Sequence, residues 1–391
     1  MPYALLRVHR CAHATLRDWL GTLLAVGACA CSASGGPAAD STGIHNTPPL
    51  PTPTTASLIA VTNSTTGTIE IISVDTHTGV PTPVAGDPLP EGPAPSAIAI
   101  DPLKRFVYVT ASSGAVRGYV IDPANLHLTK IAGSPFATHG PAVAIAVDPS
   151  GQFVLTANGA SNTVSVFKIA TSTGALVEVA GSPFAAGSNT SAVVVAAGKF
   201  VYAANAGGNS VSAYTMDATS GALTPVAGSP FATGGSPNGL VVDRTSTHIY
   251  TAESAPHQVS GFAINASTGA LTPVAGSPFL ASFAITSPVM DADGKRLHVS
   301  NGNNVDCFVV NASSGALTEV GVSVTNGGAV ALVIDGPDNF LYALDNVGNQ
   351  IEVFSIDPGD GSLALITGSP FALFPGAGSQ SLGPNAISVQ H

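Results

Sequence analysis

The chain has 391 residues, 43 of them Gly and 30 Pro, with only 9% charged residues and a formal net charge of −11. Setting aside the first 28 residues leaves 9 basic against 22 acidic side chains, the wrong sign for a nucleic-acid partner. Four cysteines, none in a zinc spacing, exclude a disulfide framework and a structural zinc site.

The N-terminus reads as a targeting segment. Arg7, Arg10 and Arg17 form a basic region, and Leu20–Ala28 is a short apolar run. Val26-Gly27-Ala28-Cys29 resembles a bacterial lipobox, which implies a signal peptide over residues 1–28 and lipidation of Cys29. Ala30 after the cysteine then implies sorting to an outer membrane where the host has one. Simple cleavage near Ala30 or Ala33 is the alternative and gives a secreted or periplasmic protein. Residues 29–57 are rich in Ser, Gly, Pro and Thr, the composition of a semi-extended tether. No later segment reads as a membrane span, because Gly, Pro, Asn and Asp interrupt every apolar run. The membrane contact expected is therefore the N-terminal lipid alone.

From residue 58 onward the chain repeats. Ala-Gly-Ser-Pro-Phe occurs at 132–136, 180–184, 227–231 and 275–279, and Thr367–Phe371 differs only in its first residue. Ala85–Leu89 is a weaker copy, and a degenerate one is expected near Gly321. The glycines step by 47, 48, 47, 48 and 92 residues, a period that suits a four-stranded propeller blade. Each unit holds four short apolar or alternating runs between turn signals. In the third unit these are strand a (Ala142–Val147), strand b (Phe153–Ala157), strand c (Thr163–Ile169) and strand d (Leu176–Ala180). Strand b recurs near Leu58, Phe106, Phe153, Phe200, Ile249, Leu297 and Phe340. Strand a recurs near Ser96, Ala142, Ser191, Asn238, Ser287, Ala329 and Asn385. The chain thus starts on a b strand and ends on an a strand. The expected fold is all-β: a seven-bladed propeller over 58–391, its ring closed by the C-terminal strand joining the N-terminal blade. In the recurrent signature, Pro blunts the outer edge and Gly permits a bend, while Phe packs between blades. Cys307 reads as a small buried residue of strand c in blade 6.

In such a ring the b–c and d–a connections share one face, and the a–b and c–d turns share the other. Most cations fall on the second face: Lys104, Arg105, Lys199, Arg244, Lys295 and Arg296 at a–b turns, Lys130 and Lys168 near c–d turns. They are expected as a solvated rim, or as a surface for anionic lipid or polymer. On the first face a column stands at the end of strand b: Asn63, Ala111, Asn158, Asn205, Glu253, Asn301 and Asp345. Asn suits such a turn because its amide bonds the local backbone. Asn158, Asn205, Asn301 and Asp345 are also candidate ligand contacts, with Arg117 and His139. In blade 5 the loop Glu253-Ser254-Ala255-Pro256-His257-Gln258 places a carboxylate and an imidazole together, a candidate acid–base pair of Glu253 and His257. His298 takes the place of Tyr108, Tyr202, Tyr250 and Tyr342 in other blades and reads as a packed stand-in.

Asp101–Thr110, Phe153–Asn158 and Phe200–Asn205 resemble the YVTN-type propeller repeat. Residues 220–231 and 268–279, ending in Leu-Thr-Pro-Val-Ala-Gly-Ser-Pro-Phe, resemble the seven-bladed lactonase family. That family includes 6-phosphogluconolactonase-like and carboxymuconate-cyclase-like proteins. The resemblance spans about residues 58–391. It implies action on anionic lactones or muconates, held and protonated by arginine and histidine; here Arg117, His139 and His257 are offered. Two functions follow. One is an exported, lipid-anchored module in the cell envelope that binds an unidentified small molecule or protein. The other is a lactone hydrolase in which Glu253 or His257 activates water and Arg117 or His139 binds the oxyanion. A monomer without cofactor or metal is expected in both.

Overall fold

Strand b is apolar at nearly every position and is buried along its whole length in most blades. Phe106–Ala111, Phe153–Asn158, Phe200–Asn205 and Phe340–Asp345 expose no residue. Only a sheet covered on both faces accommodates such a run. In the computed structural model those faces are covered by the neighbouring blades. The structure describes residues 57–390 except 85–88, 91, 93–94, 282–284, 337–338 and 374–383. The expected signal segment, Cys29 and the expected tether up to residue 56 lie outside the described residues; Ser57, expected to end the tether, already opens the first strand.

Blade 3 shows the plan. Ala142–Val147, Phe153–Asn158 and Thr163–Ile169 pair antiparallel in sequence order. The fourth strand comes in two pieces, Leu176–Glu178 and Phe184–Ala185, both paired to the third. The plan recurs in blades 1, 2, 4, 5 and 7. Blades 6 and 7 share one sheet because Leu317–Ile334 is a single strand, serving as d of blade 6 and a of blade 7. The C-terminal strand Pro384–Gln390 pairs with Ser57–Asn63 and completes blade 1, as the strand count predicts.

The signature does more than blunt an edge. The expected continuous strand over Leu176–Ala180 is instead broken after Glu178 by the Gly-Ser-Pro turn, whose Ser–Pro peptide is cis in blades 2, 3, 4, 5 and 7. The turn removes a ladder acceptor from strand c. The serine hydroxyl replaces it: the N–H groups of Gly118, Val166, Ala213, Gly261 and Val353 donate to Ser134, Ser182, Ser229, Ser277 and Ser369. A buried amide is thereby kept satisfied.

Neighbouring blades are joined by a second recurrent device. Phe200 and Tyr202 of blade 4 hold Gly269 in the c–d turn of blade 5. The ring lies against the glycine Cα, where a Cβ would come within 2.5 Å of it. The tyrosine hydroxyl donates to the Gly269 carbonyl at 2.9 Å. Tyr108, Tyr250 and Tyr342 hold Gly174, Gly315 and Gly79 in the same way. Between these locks, apolar side chains of consecutive blades merge into one core. Leu155 and Val166 of blade 3, for example, pack with Val201, Ala203 and Tyr214 of blade 4.

The rim expectation needs correction at three cations. Lys104 is buried, and Arg105 and Arg296 expose only 11% of their side chains. Arg105 pairs with Asp101 and lies over the Phe106 ring. The a–b turn aspartates explain the two arginines. Asp101, Asp148, Asp291 and Asp335 each accept the N–H that opens strand b and are buried; Asp101 and Asp291 also hold Arg105 and Arg296 against them.

Candidate functional site

Backbone bonds between the d–a and b–c loops define the upper face. Thr138, Ala186, Thr233 and Ala281 donate to Gly114, Asn162, Asn209 and His257. The column at the end of strand b lies just beneath these loops, and its polar atoms are occupied there. Asn158 donates to Thr163 and Ser165 and accepts from Thr156. Asn205 donates to Ser210 and Ser212 and accepts the Gly187 N–H. Asn301 donates to Asp306 at 2.6 Å and accepts the Asn304 N–H. Asp345 accepts from Gln350 and from the N–H groups of Val347 and Gly348. All four are buried. They fasten strand b to strand c, and a ligand on this face meets them only through the turns they shape.

Glu253 follows the same pattern. It is fully buried, with Oε1 accepting from Thr251 at 2.9 Å and Oε2 from Gln258 at 2.7 Å. The ladder sets Glu253 opposite Gln258 and Ser254 opposite His257. Successive side chains alternate across a sheet, so Glu253 and His257 lie on opposite faces. The pair joined by sequence is separated by register. His257 is exposed and shares its face with Ser254, whose hydroxyl accepts the Asn238 amide at 2.8 Å. Asn238 belongs to the innermost strand, Pro237–Val242. A line of polar groups thus runs from the loop inward: His257, Ser254, Asn238.

The remaining candidates stand elsewhere. His139 is exposed in the loop entering blade 3, with Nε2 at 2.9 Å from Glu178. Arg117 is half-buried on strand c of blade 2, where a Cβ at Gly92 would lie 3.4 Å from its guanidinium. It is the one Lys or Arg among the described residues on the upper face. No hydrogen bond or ion pair among the described residues joins any two of Arg117, His139, Glu253 and His257.

Sequence reasoning missed the Asn238–Ser254 bond on the face that His257 shares. Asn238 replaces the serines of blades 2 and 4, Ser96 and Ser191, which instead donate to carbonyls of the next blade. Also missed was a cavity of about 700 Å³ near the lower face between blades 6 and 7, lined in part by Lys295, Arg296 and Cys307. Its sequence signal was the failed signature near Gly321.

A family model described as Lactonase, 7-bladed beta-propeller matches residues 56–189 and 173–281. A candidate 6-phosphogluconolactonase of Bacteroides fragilis superposes with a TM-score of 0.75 at 18% identity, covering 86% of this chain and 98% of its own. A candidate 6-phosphogluconolactonase of Bacteroides uniformis gives 0.74 at 19%, covering 85% and 99%. The periplasmic gluconolactonase of Pseudomonas aeruginosa gives 0.70 at 19%, covering 86% and 99%. Identities this low establish the fold alone. No curated protein matches the chain.

Proposed function

The chain belongs to the seven-bladed β-propeller lactonase family, and from that premise we propose that it opens a lactone ring by hydrolysis at the upper corner of blade 5. Water adds to the ring carbonyl, the ring C–O bond breaks, and a hydroxy acid leaves. The observation that carries the assignment is the exposed imidazole of His257 set opposite Ser254, whose hydroxyl Asn238 binds. His257 takes the proton from the attacking water and returns it to the departing alkoxide. The Ser254 hydroxyl, which accepts from Asn238, keeps its own hydrogen to donate to the carbonyl oxygen as it becomes an oxyanion. Glu253 shapes the turn.

The substrate we infer is an uncharged sugar lactone. A phosphate dianion calls for clustered Arg or Lys donors, and the upper face offers Arg117, three blades away. The gluconolactonase name of one structural neighbour points the same way. We further place the protein in the cell envelope, anchored through Cys29. The second reading, a binding module without chemistry, draws support from Glu253 and the asparagine column being consumed inside their turns.

The test is pH-stat hydrolysis of glucono-1,5-lactone and γ-butyrolactone by the purified full chain. His257→Ala should lower kcat by about 10²–10⁴-fold, the contribution of a positioned acid–base group, while Glu253→Gln should stay near wild type. Loss in Glu253→Gln with His257→Ala unaffected would move the base away from the imidazole. No turnover by the wild type would favour the binding module.

A further inference from the structure

Blade 6 departs from its neighbours at Val320. The matching residues Ile131, Val179, Val226 and Val274 are only 3–8% exposed, and their N–H groups donate to strand c. Three of them, Ile131, Val179 and Val274, reach the c–d turn glycine of the next blade, where a Cβ would meet them at 2.6, 3.1 and 3.0 Å. They plug the outer end of the interface. In blade 6 the register shifts: Glu319 pairs with Phe308 and Gly321 with Cys307, leaving Val320 between the pairs. It bulges outward and is 53% exposed. The cavity of about 700 Å³ lies where the plug would sit.

The same interface carries two further exchanges. Arg296 stands where other blades have Phe106, Phe153, Phe200 and Phe340. One of its amino groups donates to the Gly359 carbonyl at 2.7 Å, the other lies 3.6 Å from Asp291, and its Nε has no partner among the described residues. His298 stands in the tyrosine position, fully buried, and neither ring nitrogen has a partner among the described residues. Its tyrosine counterparts run to the c–d turn glycine of the following blade. The corresponding glycine here, Gly361, lines the cavity. Cys307, the cysteine among the described residues, lines it too.

We propose that this cavity binds an amphipathic monocarboxylate, an apolar chain ending in one carboxylate. Val309, Val310 and Leu363 supply apolar wall, and the volume falls within the usual range for small-molecule sites, about 300–1,000 Å³. Lys295 and Arg296 outnumber Asp360, the one carboxylate in the lining. Lys295 also pairs with Asp293, but both are well exposed, and a surface pair of this kind is readily exchanged. The site is independent of lactone chemistry at the upper face.

Decanoate is the probe, titrated into the purified full chain by calorimetry. Alkylation of Cys307 is followed in parallel by peptide mass mapping. Saturable binding should slow Cys307 alkylation. Lys295→Glu should weaken decanoate by about tenfold or more, the scale of one charge-assisted contact, and decanol should bind more weakly than decanoate. Ser323→Trp, which fills the cavity, should abolish binding. Should that variant fail to fold, the exposed Lys295→Glu still decides. Decanoate that leaves Cys307 unprotected, or binding that ignores Lys295→Glu, overturns the proposal; equal affinity for decanol overturns its charge recognition.

Discussion

The inter-blade lock makes a quantitative claim about two glycines. Gly269 has φ +75°, and a Cβ there would sit 2.5 Å from the Phe200 ring, a side chain packed on all sides. Gly198 has φ +61° with nothing within 4 Å of the same added atom. Alanine at either position carries the left-handed backbone penalty, about 1 kcal/mol. At Gly269 it must also displace an aromatic ring in a filled core, about 1–3 kcal/mol more. Urea unfolding should therefore show Gly198→Ala losing about 1 kcal/mol and Gly269→Ala about 2–4 kcal/mol. In a Phe200→Leu background the second cost should shrink toward the first, since the clash partner is smaller. Equal losses at the two positions in the wild-type background would refute the lock as a steric device.

Three further outcomes follow from the same geometry. Ser229→Ala leaves the buried Ala213 amide without its acceptor and should cost about 1–3 kcal/mol in urea unfolding. Burial first, and the Arg296 charge second, hold the His298 imidazole neutral down to about pH 4. The unfolded chain takes up that proton near pH 6.5, so this contribution is complete above about 6.5 and is lost as pH falls toward 4, in all about 3 kcal/mol. His298→Leu should remove that part of the acid destabilisation; Asp291, raised to about 6 chiefly by burial, acts in the opposite sense and persists in both proteins. Gly321→Ala, Val322→Gly, Val324→Pro and Thr325→Phe together restore the signature in blade 6. They should return Val320 to its slot, eliminating decanoate binding and raising the urea midpoint.

What was legible in the sequence was whatever repeats. The strand positions, the blade number and the closure by Pro384–Gln390 all came from counting equivalent residues, because each blade meets the same packing problem. The division of labour inside the signature was less legible. A serine that accepts an amide from strand c, 16 residues upstream, looks in sequence like any turn serine. Register decided the fate of the Glu253–His257 pair. The turn at Ala255 and Pro256 sets Ser254 against His257, and a loop one residue longer or shorter would have changed which side chains share a face. Composition marks such a loop as unusual without saying where its groups point. Arg105 illustrates the same limit: a basic turn residue reads as exposed until the buried aspartate it pairs with is seen.

Blade 6 shows why the ring tolerates its exception. Ser323 occupies the signature serine position, two residues before Thr325, where blades 2, 3, 4, 5 and 7 have Phe. What fails is its surroundings: Gly and Pro are replaced by Val322 and Val324, and Phe by Thr325. Three β-branched residues within four positions favour extended backbone, so Leu317–Ile334 continues as one strand where the other blades break. A straight strand must still pair with the bent path of strand c, and the mismatch is absorbed by the bulge that expels Val320. Arg296 meanwhile keeps the contact the phenylalanine makes elsewhere, its aliphatic stem crossing Gly361 where a Cβ would come within 2.0 Å. The glycine end of the lock therefore survives while the valine slot empties. The cavity follows from a change of strand register, and the exchange of phenylalanine for Arg296 places a guanidinium in its lining.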